Sequence, residues 1–388
     1  MCGIVGYIGD KSVDSVILVG LERLEYRGYD SAGLSLITEE GKLFTVKRKG
    51  RIKDLSDYLE KIGVPEGHVG IGHTRWATHG EVSDDNAHPH LDCKGQISVV
   101  HNGIIENFRE LKEELEKKGH VFKSDTDTEV IAHLIEDNYK GSLLDAVREA
   151  VKRLKGTFAI AVISELEPEV IVAARKDSPL ILGVGDGEML LASDIPALLQ
   201  HTKRVVILEN GEVALLRRDG FEVYDFEGNR KEKTVQKIDW DAEQAELGPY
   251  PHYMLKEIHE QPDVIKANLS RYMREGEFVL LKDTNLRKLL LNKQRFFIVA
   301  AGTSLHAGLA GKYLLERVAK VPTEADFASE FVSRDPPVDS RTLAVAISQS
   351  GETMDTMEAL RYAKEKGLEV LAIVNVVGSS IAREADYV

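Results

Sequence analysis

A short strand begins almost at the first residue of this chain. Cys2-Gly3-Ile4-Val5-Gly6-Tyr7-Ile8 combines β-branched residues with glycine punctuation, the pattern of a core strand. A cysteine therefore sits where the chain enters its core. Removal of Met1 would put thiol and α-amine on that one residue. A thiol titrates near ~8.5 and an α-amine near ~7.7–8. The amine can thus act as a base for its own side chain, directly or through a water. Position alone does not separate this reading from a small residue that follows Met, so the other stretches must decide.

The remaining bounds are broad. The 388 residues are enough for two or three domains. A net charge of −14 argues against nucleic acid or an anionic membrane as the main partner. No apolar run reaches the roughly 18 residues of a membrane span, and no signal-peptide pattern opens the chain. Two cysteines, Cys2 and Cys93, make neither a disulfide framework nor a metal spacing. The expected location is a reducing cytoplasm.

Several dense stretches follow the first strand. Ser15 to Leu24 reads as a helix with a broad apolar face. Glu25-Tyr26-Arg27-Gly28-Tyr29-Asp30-Ser31-Ala32-Gly33 is a glycine-punctuated loop, and Arg27 in it is a surface, ion-pair or anion-binding residue. Gly70 to Gly80 is a strand that enters His73-Thr74-Arg75-Trp76-Ala77-Thr78-His79-Gly80. Metal binding by His73, His79, His88 and His90 is disfavoured, because no Cys or Glu spacing supports it. A clamping loop fits better, since the planar fork of Arg75 can grip a carboxylate through two bonds. The alternative is a buried arginine with a structural carboxylate partner. Ile97 to Ile105 reads as a strand broken at Asn102-Gly103, where a side-chain amide beside a backbone N–H could form an oxyanion hole. Thr126 and Glu129 are spaced as a capping box for a helix over Val130 to Tyr139, with Asp127 in its first turn. Leu143 to Leu154 is another helix, and short strands fill the chain to Ile238. Helices framed by many strands predict a layered α+β domain.

Taken together, Cys2-Gly3-Ile4-Val5-Gly6, Tyr26 to Gly33, His73 to Gly80, His101-Asn102-Gly103 and Ser124 to Glu129 resemble the class II glutamine amidotransferases. These are N-terminal-nucleophile hydrolases of four-layer αββα fold, and the resemblance spans residues 1–238. It implies that Cys2 attacks the glutamine side-chain amide and that Asn102 and Gly103 form the oxyanion hole. It gives the glutamine α-carboxylate to Arg75 and Thr78, with His79 beside them. The α-amino group falls to Asp127 and the Gly103 carbonyl. Arg27 would support the Cys2 region, and Trp76 would gate the route of ammonia. A zwitterionic substrate asks for one cation and one anion, which Arg75 and Asp127 supply.

Residues 239–253 read as an acidic, proline-marked linker, and Pro262 as the first residue of a new helix. Beyond it the pattern changes. The apolar strand Arg295 to Ala301 enters Gly302-Thr303-Ser304 and a helix. The strand Thr342 to Ile347 enters Ser348-Gln349-Ser350-Gly351-Glu352-Thr353 and another helix. This repetition predicts a parallel doubly wound α/β sheet over 254–388, with both loops at the carboxyl ends of strands. Hydroxyls at helix N-termini suit a phosphate, although serine and threonine are also ordinary caps. The segment resembles a sugar-isomerase (SIS) domain, incomplete at Val388. An amidotransferase joined to SIS domains implies glutamine and fructose 6-phosphate as substrates, no cofactor and no metal, and a homodimer in the complete enzyme. Thr303, Ser304, Ser348, Gln349, Ser350 and Thr353 would hold the sugar phosphate. Ala301 stands where many relatives carry cysteine, and the family's isomerising lysine, glutamate and histidine would lie beyond Val388. Two rival readings are another class II amidotransferase, such as the phosphoribosyl-pyrophosphate enzyme, and a sugar-phosphate sensor with an inactive glutaminase-like domain.

Overall fold

The first strand, β1 (Gly3–Ile8), is buried from end to end. Its Ile4 and Ile8 belong to one apolar cluster, and its Val5 and Tyr7 to another. Side chains alternate between the faces of a strand, so a strand apolar on both parities needs a sheet covered on both sides. The computed structural model, which describes residues 2–77, 79–238, 249–274, 276–282 and 284–388, has that arrangement.

The first of two compact units is Met1–Glu246. After β1 come α1 (Val13–Glu22), β2 (Ser31–Thr38), β3 (Leu43–Lys49), α2 (Ile52–Ile62), β4 (Gly67–Arg75), β5 (His90–Leu91) and β6 (Ile97–Ile105). Three helices follow: α3 (Phe108–Lys117), α4 (Glu129–Asn138) and α5 (Leu143–Arg153). Then come β7 (Gly156–Ser164), β8 (Glu167–Lys176), β9 (Ile181–Val184), β10 (Met189–Ala192) and β11 (Arg204–Ile207). The last are β12 (Glu212–Arg217), β13 (Gly220–Asp225), β14 (Arg230–Lys231) and β15 (Gln236–Lys237). An eight-stranded sheet in the order β15-β11-β9-β10-β1-β4-β2-β3 faces a seven-stranded sheet in the order β14-β13-β12-β8-β7-β6-β5. Ile4, Ile71, Val100, Ala161, Ile171 and Leu191 are part of the dry layer between them. On the outer face of the first sheet, Val13, Ile17 and Leu21 of α1 and Leu55 of α2 pack on Val5, Leu34 and Leu36. On the outer face of the second, Leu111, Val130, Leu134 and Val147 of α3, α4 and α5 pack on Val99, Ile160 and Val172. The result is the expected αββα sandwich.

The second unit, Leu247–Val388, begins with α6 (Tyr253–Tyr272), the two-residue strands β16 (Met273–Arg274) and β17 (Glu277–Phe278), and α7 (Thr284–Asn292). It continues with β18 (Arg295–Ala300), α8 (Gly302–Leu314), β19 (Thr323–Phe327), α9 (Ala328–Arg334), β20 (Thr342–Ser348), α10 (Met354–Glu365), β21 (Glu369–Val374) and α11 (Ser380–Glu384). The last four strands form a parallel sheet in the order β19-β18-β20-β21. Its central strands, β18 and β20, are apolar on both parities for the same reason as β1. Phe297 and Val299 face one cluster, and Phe296 and Ile298 the other. The chain turns from one side of β18 to the other between β19 and β20, so the β18 and β20 loops meet at a topological switch point.

Four local expectations are corrected. The strand through Asn102-Gly103 is not broken: β6 pairs with β7 without interruption, with Gly103 opposite Phe158. Glycine makes this possible, because φ is 132° there and a Cβ would lie 2.1 Å from the Thr157 carbonyl oxygen. Thr126 and Glu129 make no capping box. The Glu129 carboxylate instead accepts from the amides of Lys123 and Ser124, and α4 starts only at Glu129. Asp127 therefore precedes the helix, and its Oδ2 accepts the Ile105 amide at 2.7 Å. Pro262 does not open a helix but lies inside the 20-residue α6. A proline forfeits one hydrogen bond, to the carbonyl four residues back, and the flanking turns here carry the helix through. Of the expected linker, 239–248 lies outside the described residues.

Since Pro262 occupies a helix interior, Pro262→Ala should stabilise the second unit, by up to about 3 kcal/mol. Calorimetric unfolding of the full chain checks this. A lowered or unchanged midpoint would show that proline suits this position, as it would at the start of a helix.

Candidate active site

The pleat of three strands aims the candidate residues at one place. On β4, His73 and Arg75 share the parity of Val69 and Ile71; on β6, Asn102 shares that of Val100. Cys2 continues the parity of Ile4 and Ile8 on β1. All five of those apolar residues belong to the layer between the sheets, so Cys2, His73, Arg75 and Asn102 are directed into the end of that layer. There a small cleft is lined by Cys2, Arg75, Trp76, Gly103, Thr126 and Asp127, among others.

Cys2 is held from both sheets. The Trp76 amide donates to its Sγ at 3.2 Å, and the Asn102 side-chain amide donates to its carbonyl at 3.0 Å. Burial pushes the Cys2 thiol up, and the Trp76 hydrogen bond and the Arg75 charge oppose that shift. Asn102 Nδ2 has two hydrogens, so the bond to Cys2 leaves a second N–H. Asn102 Oδ1 takes a 3.0 Å bond from His73 Nε2, which also reaches the His101 carbonyl at 3.0 Å. Facing two acceptors, Nε2 must carry the proton.

Arg75 is 3% exposed. Its guanidinium donates to the carbonyls of His79, Gly80 and Glu81. These partners are neutral, so the bonds orient the fork without cancelling its charge, and the hairpin of chain that follows is wrapped around it. The expected neighbour His79 is present through this backbone bond, while its ring packs edge-on against Phe108. Thr78 lies outside the described residues. Trp76 is 44% exposed at the cavity and packs edge-on against Tyr29. Gly28 backs the same turn: a Cβ there would lie 2.7 Å from the Arg75 carbonyl carbon and 2.8 Å from the Trp76 nitrogen. Arg27 acts one step behind. It donates to the Ser193 carbonyl at 2.9 Å and lies 3.7 Å from Asp194. Ser193 in turn exchanges 3.0 Å bonds with the Ile4 backbone, two residues from Cys2.

Ser193 was not singled out in the sequence, and no local signal marks it. The histidines considered as metal ligands form a different structure. His73 and His88 stack at 4.1 Å, and His88 meets His90 edge-on. His88 Nδ1 accepts the His101 amide at 3.3 Å; His101 and His90 bond the hydroxyls of Thr128 and Thr126 at 2.8 and 3.1 Å. Burial pushes His73 down to about 3, and His88 and His90 well below the usual histidine value. They form a neutral wall beneath the cavity.

In the second unit, Thr303 and Ser304 lie in the first turn of α8, directly after β18. Ser348 to Thr353 link β20 to α10, beside them in the sheet. Ser348 Oγ receives the Gly351 amide at 3.0 Å and meets Thr353 Oγ1 at 3.1 Å, while Ser350 Oγ receives the Glu352 amide at 3.2 Å. Gly351 has φ of 67°, and a Cβ there would meet Ser379 Oγ at 2.0 Å.

A cysteine at the mouth of an αββα sandwich, followed by a parallel-sheet unit, is the arrangement expected of an amidotransferase module joined to a sugar-isomerase module. Comparison with known proteins agrees. Residues 73–200 match the glutamine amidotransferase domain family and 289–388 the SIS domain family. The glutamine–fructose-6-phosphate aminotransferase (isomerizing) of Clostridium tetani is 51% identical over 387 residues, covering 100% of this chain and 63% of that protein. Its counterpart in Thermus thermophilus is 52% identical over 388 residues, again covering 100% and 63%. The chain is similar to these curated relatives over its whole length, and it spans about 63% of theirs. The solved glutamine phosphoribosylpyrophosphate amidotransferase of B. subtilis, complexed with ADP and GMP, aligns with 100% of this chain and 90% of its own at a TM-score of 0.53. At 21% identity it shares the fold alone.

The neutral histidine wall predicts an acid-sensitive fold. His73 and His88 have folded values below the unfolded value of about 6.5. In that window the unfolded chain binds more protons, so stability is complete above about pH 6.5 and falls as pH falls. Each histidine contributes up to about 1.4 kcal/mol per pH unit. Urea midpoints should therefore be lower at pH 5 than at pH 7; an equal or higher midpoint at pH 5 would contradict the assignment.

Proposed function

We propose that the first unit hydrolyses glutamine to glutamate and ammonia, with Cys2 as nucleophile. The observation that carries this reading is the convergence of Cys2, Arg75, Gly103 and Asp127 on one cavity, with Asn102 bonded to Cys2. After loss of Met1, the α-amine of Cys2 accepts the thiol proton. The thiolate adds to the amide carbon, and the carbonyl oxygen takes the negative charge beside the second N–H of Asn102 and the Gly103 N–H. Collapse of this intermediate breaks the C–N bond, and the amine returns the proton to the departing ammonia. Water then cleaves the thioester, which frees glutamate and restores the thiol. Arg75 and Thr78 take the α-carboxylate, with His79 contributing. Asp127 and the Gly103 carbonyl take the α-ammonium. One Asp127 oxygen is committed to the Ile105 amide, which fixes the carboxylate and leaves the other oxygen for substrate. Arg27 positions the Cys2 strand through Ser193, and Trp76 gates the departure of ammonia.

The second unit extends the proposal. Its switch-point loops, with Thr303, Ser304, Ser348, Gln349, Ser350 and Thr353, are suited to a sugar phosphate. In the complete enzyme the ammonia would convert fructose 6-phosphate to glucosamine 6-phosphate, the entry to amino-sugar synthesis. That reading takes residues 1–238 as the glutaminase and 254–388 as the first SIS domain, within a cytoplasmic homodimer. Among the described residues no helix is long and apolar enough to cross a membrane.

Cys2→Ala should abolish ammonia release from glutamine while circular dichroism and the thermal midpoint stay near those of the parent, since little packing is lost. Near-normal glutaminase activity in that variant would overturn the assignment of the nucleophile. Intact mass should show Met1 absent from active protein.

Arg75→Lys and Asn102→Ala should separate binding from chemistry. The first keeps the charge but loses the fork at a carboxylate remote from the reacting bond, so it should raise KM far more than it changes kcat. The second removes a donor needed in the transition state, so kcat should fall roughly a hundred- to thousandfold with KM little changed. The reverse pattern would exchange their roles.

A further inference from the structure

Four ligand-type atoms meet in the first unit on elements that the glutaminase proposal does not use. Cys93 Sγ lies 3.5 Å from His120 Nδ1 and 3.5 Å from His133 Nδ1. Glu136 Oε2 lies 3.1 Å from His120 Nδ1 and 3.5 Å from His133 Nδ1. All four residues can bring their ligand atoms within 4.8 Å of one another. A tetrahedral ion with bonds of about 2.0 Å to nitrogen or oxygen and about 2.3 Å to sulfur holds its ligands roughly 3.3–3.6 Å apart. We propose that Cys93, His120, His133 and Glu136 form a tetrahedral divalent-metal site of zinc type.

The donor set favours zinc. One thiolate, two imidazoles and one carboxylate suit that ion, whereas calcium and magnesium want oxygen alone. The surroundings match as well. A ligating histidine normally turns its other nitrogen toward a carboxylate or carbonyl. His133 Nε2 faces Glu129 Oε1 at 3.6 Å, and His120 Nε2 faces Asp137 Oδ1 at 3.8 Å. The His133 side chain is 1% exposed, and its Nε2 makes no hydrogen bond. Hydrogen bonding alone explains the cluster less well, because one S–H and one carboxylate oxygen must serve two ring nitrogens that both point inward.

Linear spacing shows Cys93 no metal partners, and the expectation of no metal followed from that. The fold supplies three. Cys93 comes from the turn between β5 and β6, His120 from the segment after α3, and His133 and Glu136 from adjacent turns of α4. An ion here would tie those elements together and clamp both ends of the segment that carries Ser124, Thr126 and Asp127. A thiol must give up its proton to bind a metal, so affinity should rise with pH.

The test uses the full chain without a tag, in a Cys2→Ala background that leaves Cys93 as the one thiol. After loading with Zn²⁺ and desalting, elemental analysis should find close to one zinc per chain. Co²⁺ loading should give tetrahedral visible bands and a thiolate-to-cobalt charge-transfer band. Zn²⁺ should also raise the thermal midpoint. Cys93→Ser at its exposed position, and separately His120→Gln, should weaken zinc binding at least about tenfold. Cys93→Ser should also remove the charge-transfer band. No retained zinc in the parent, or retention and spectra unchanged by both substitutions, would overturn the proposal. Glutaminase activity takes no part in this test, so its failure would leave the function of Cys2 untouched.

Discussion

Asn102 ties the two sheets together at the point where the chemistry is proposed. The Asn102 amide, on β6 of the second sheet, holds the carbonyl of Cys2 at the start of β1 in the first. Each sheet alone offers half a site: β1 and β4 bring Cys2 and Arg75, and β6 brings Asn102 and Gly103. The dry layer between the sheets fixes their separation, because close-packed side chains such as Ile4, Ile71 and Val100 leave little freedom to slide. The site is thus the open end of a core, and its geometry is inherited from packing farther inside.

In the second unit the proposed ligand site would arise by another rule. No gap between sheets is available in a single parallel sheet. The strand order places two loops side by side instead, and their shape comes from internal bonds. Ser348 and Ser350 hydroxyls already accept backbone amides, so part of the hydroxyl-rich motif builds the loop itself.

Much of this was legible from residue pattern. The alternation in β1, the continuous apolar strands of the second unit and the strand–loop–helix order specify layers before any contact is known. The candidate residues of the first unit were also legible, because Cys2, Arg75, Asn102 and Asp127 sit in dense polar stretches between apolar runs. What stayed hidden depends on long-range partners. Glu129 looks like a capping residue locally, but its carboxylate holds the chain at Lys123 and Ser124. Gly103 looks like a break in its strand, yet it passes beneath the Thr157 carbonyl inside an unbroken one. Ser193 and Cys93 have no local signature, and their partners lie far away along the chain. Pro262 reads as a helix start from its own preference, which the cooperative helix on both sides overrides.

The stacked histidines beneath the cavity also govern where protons can travel. His73 touches Asn102, and with its folded value near 3 it stays neutral at any pH where the enzyme would work. Its Nε2 hydrogen is committed to two acceptors, and its other nitrogen is buried without a partner. A proton released at Cys2 therefore finds no relay through His73. Proton transfer at Cys2 would then rest on groups other than His73, among them the α-amine that loss of Met1 would free.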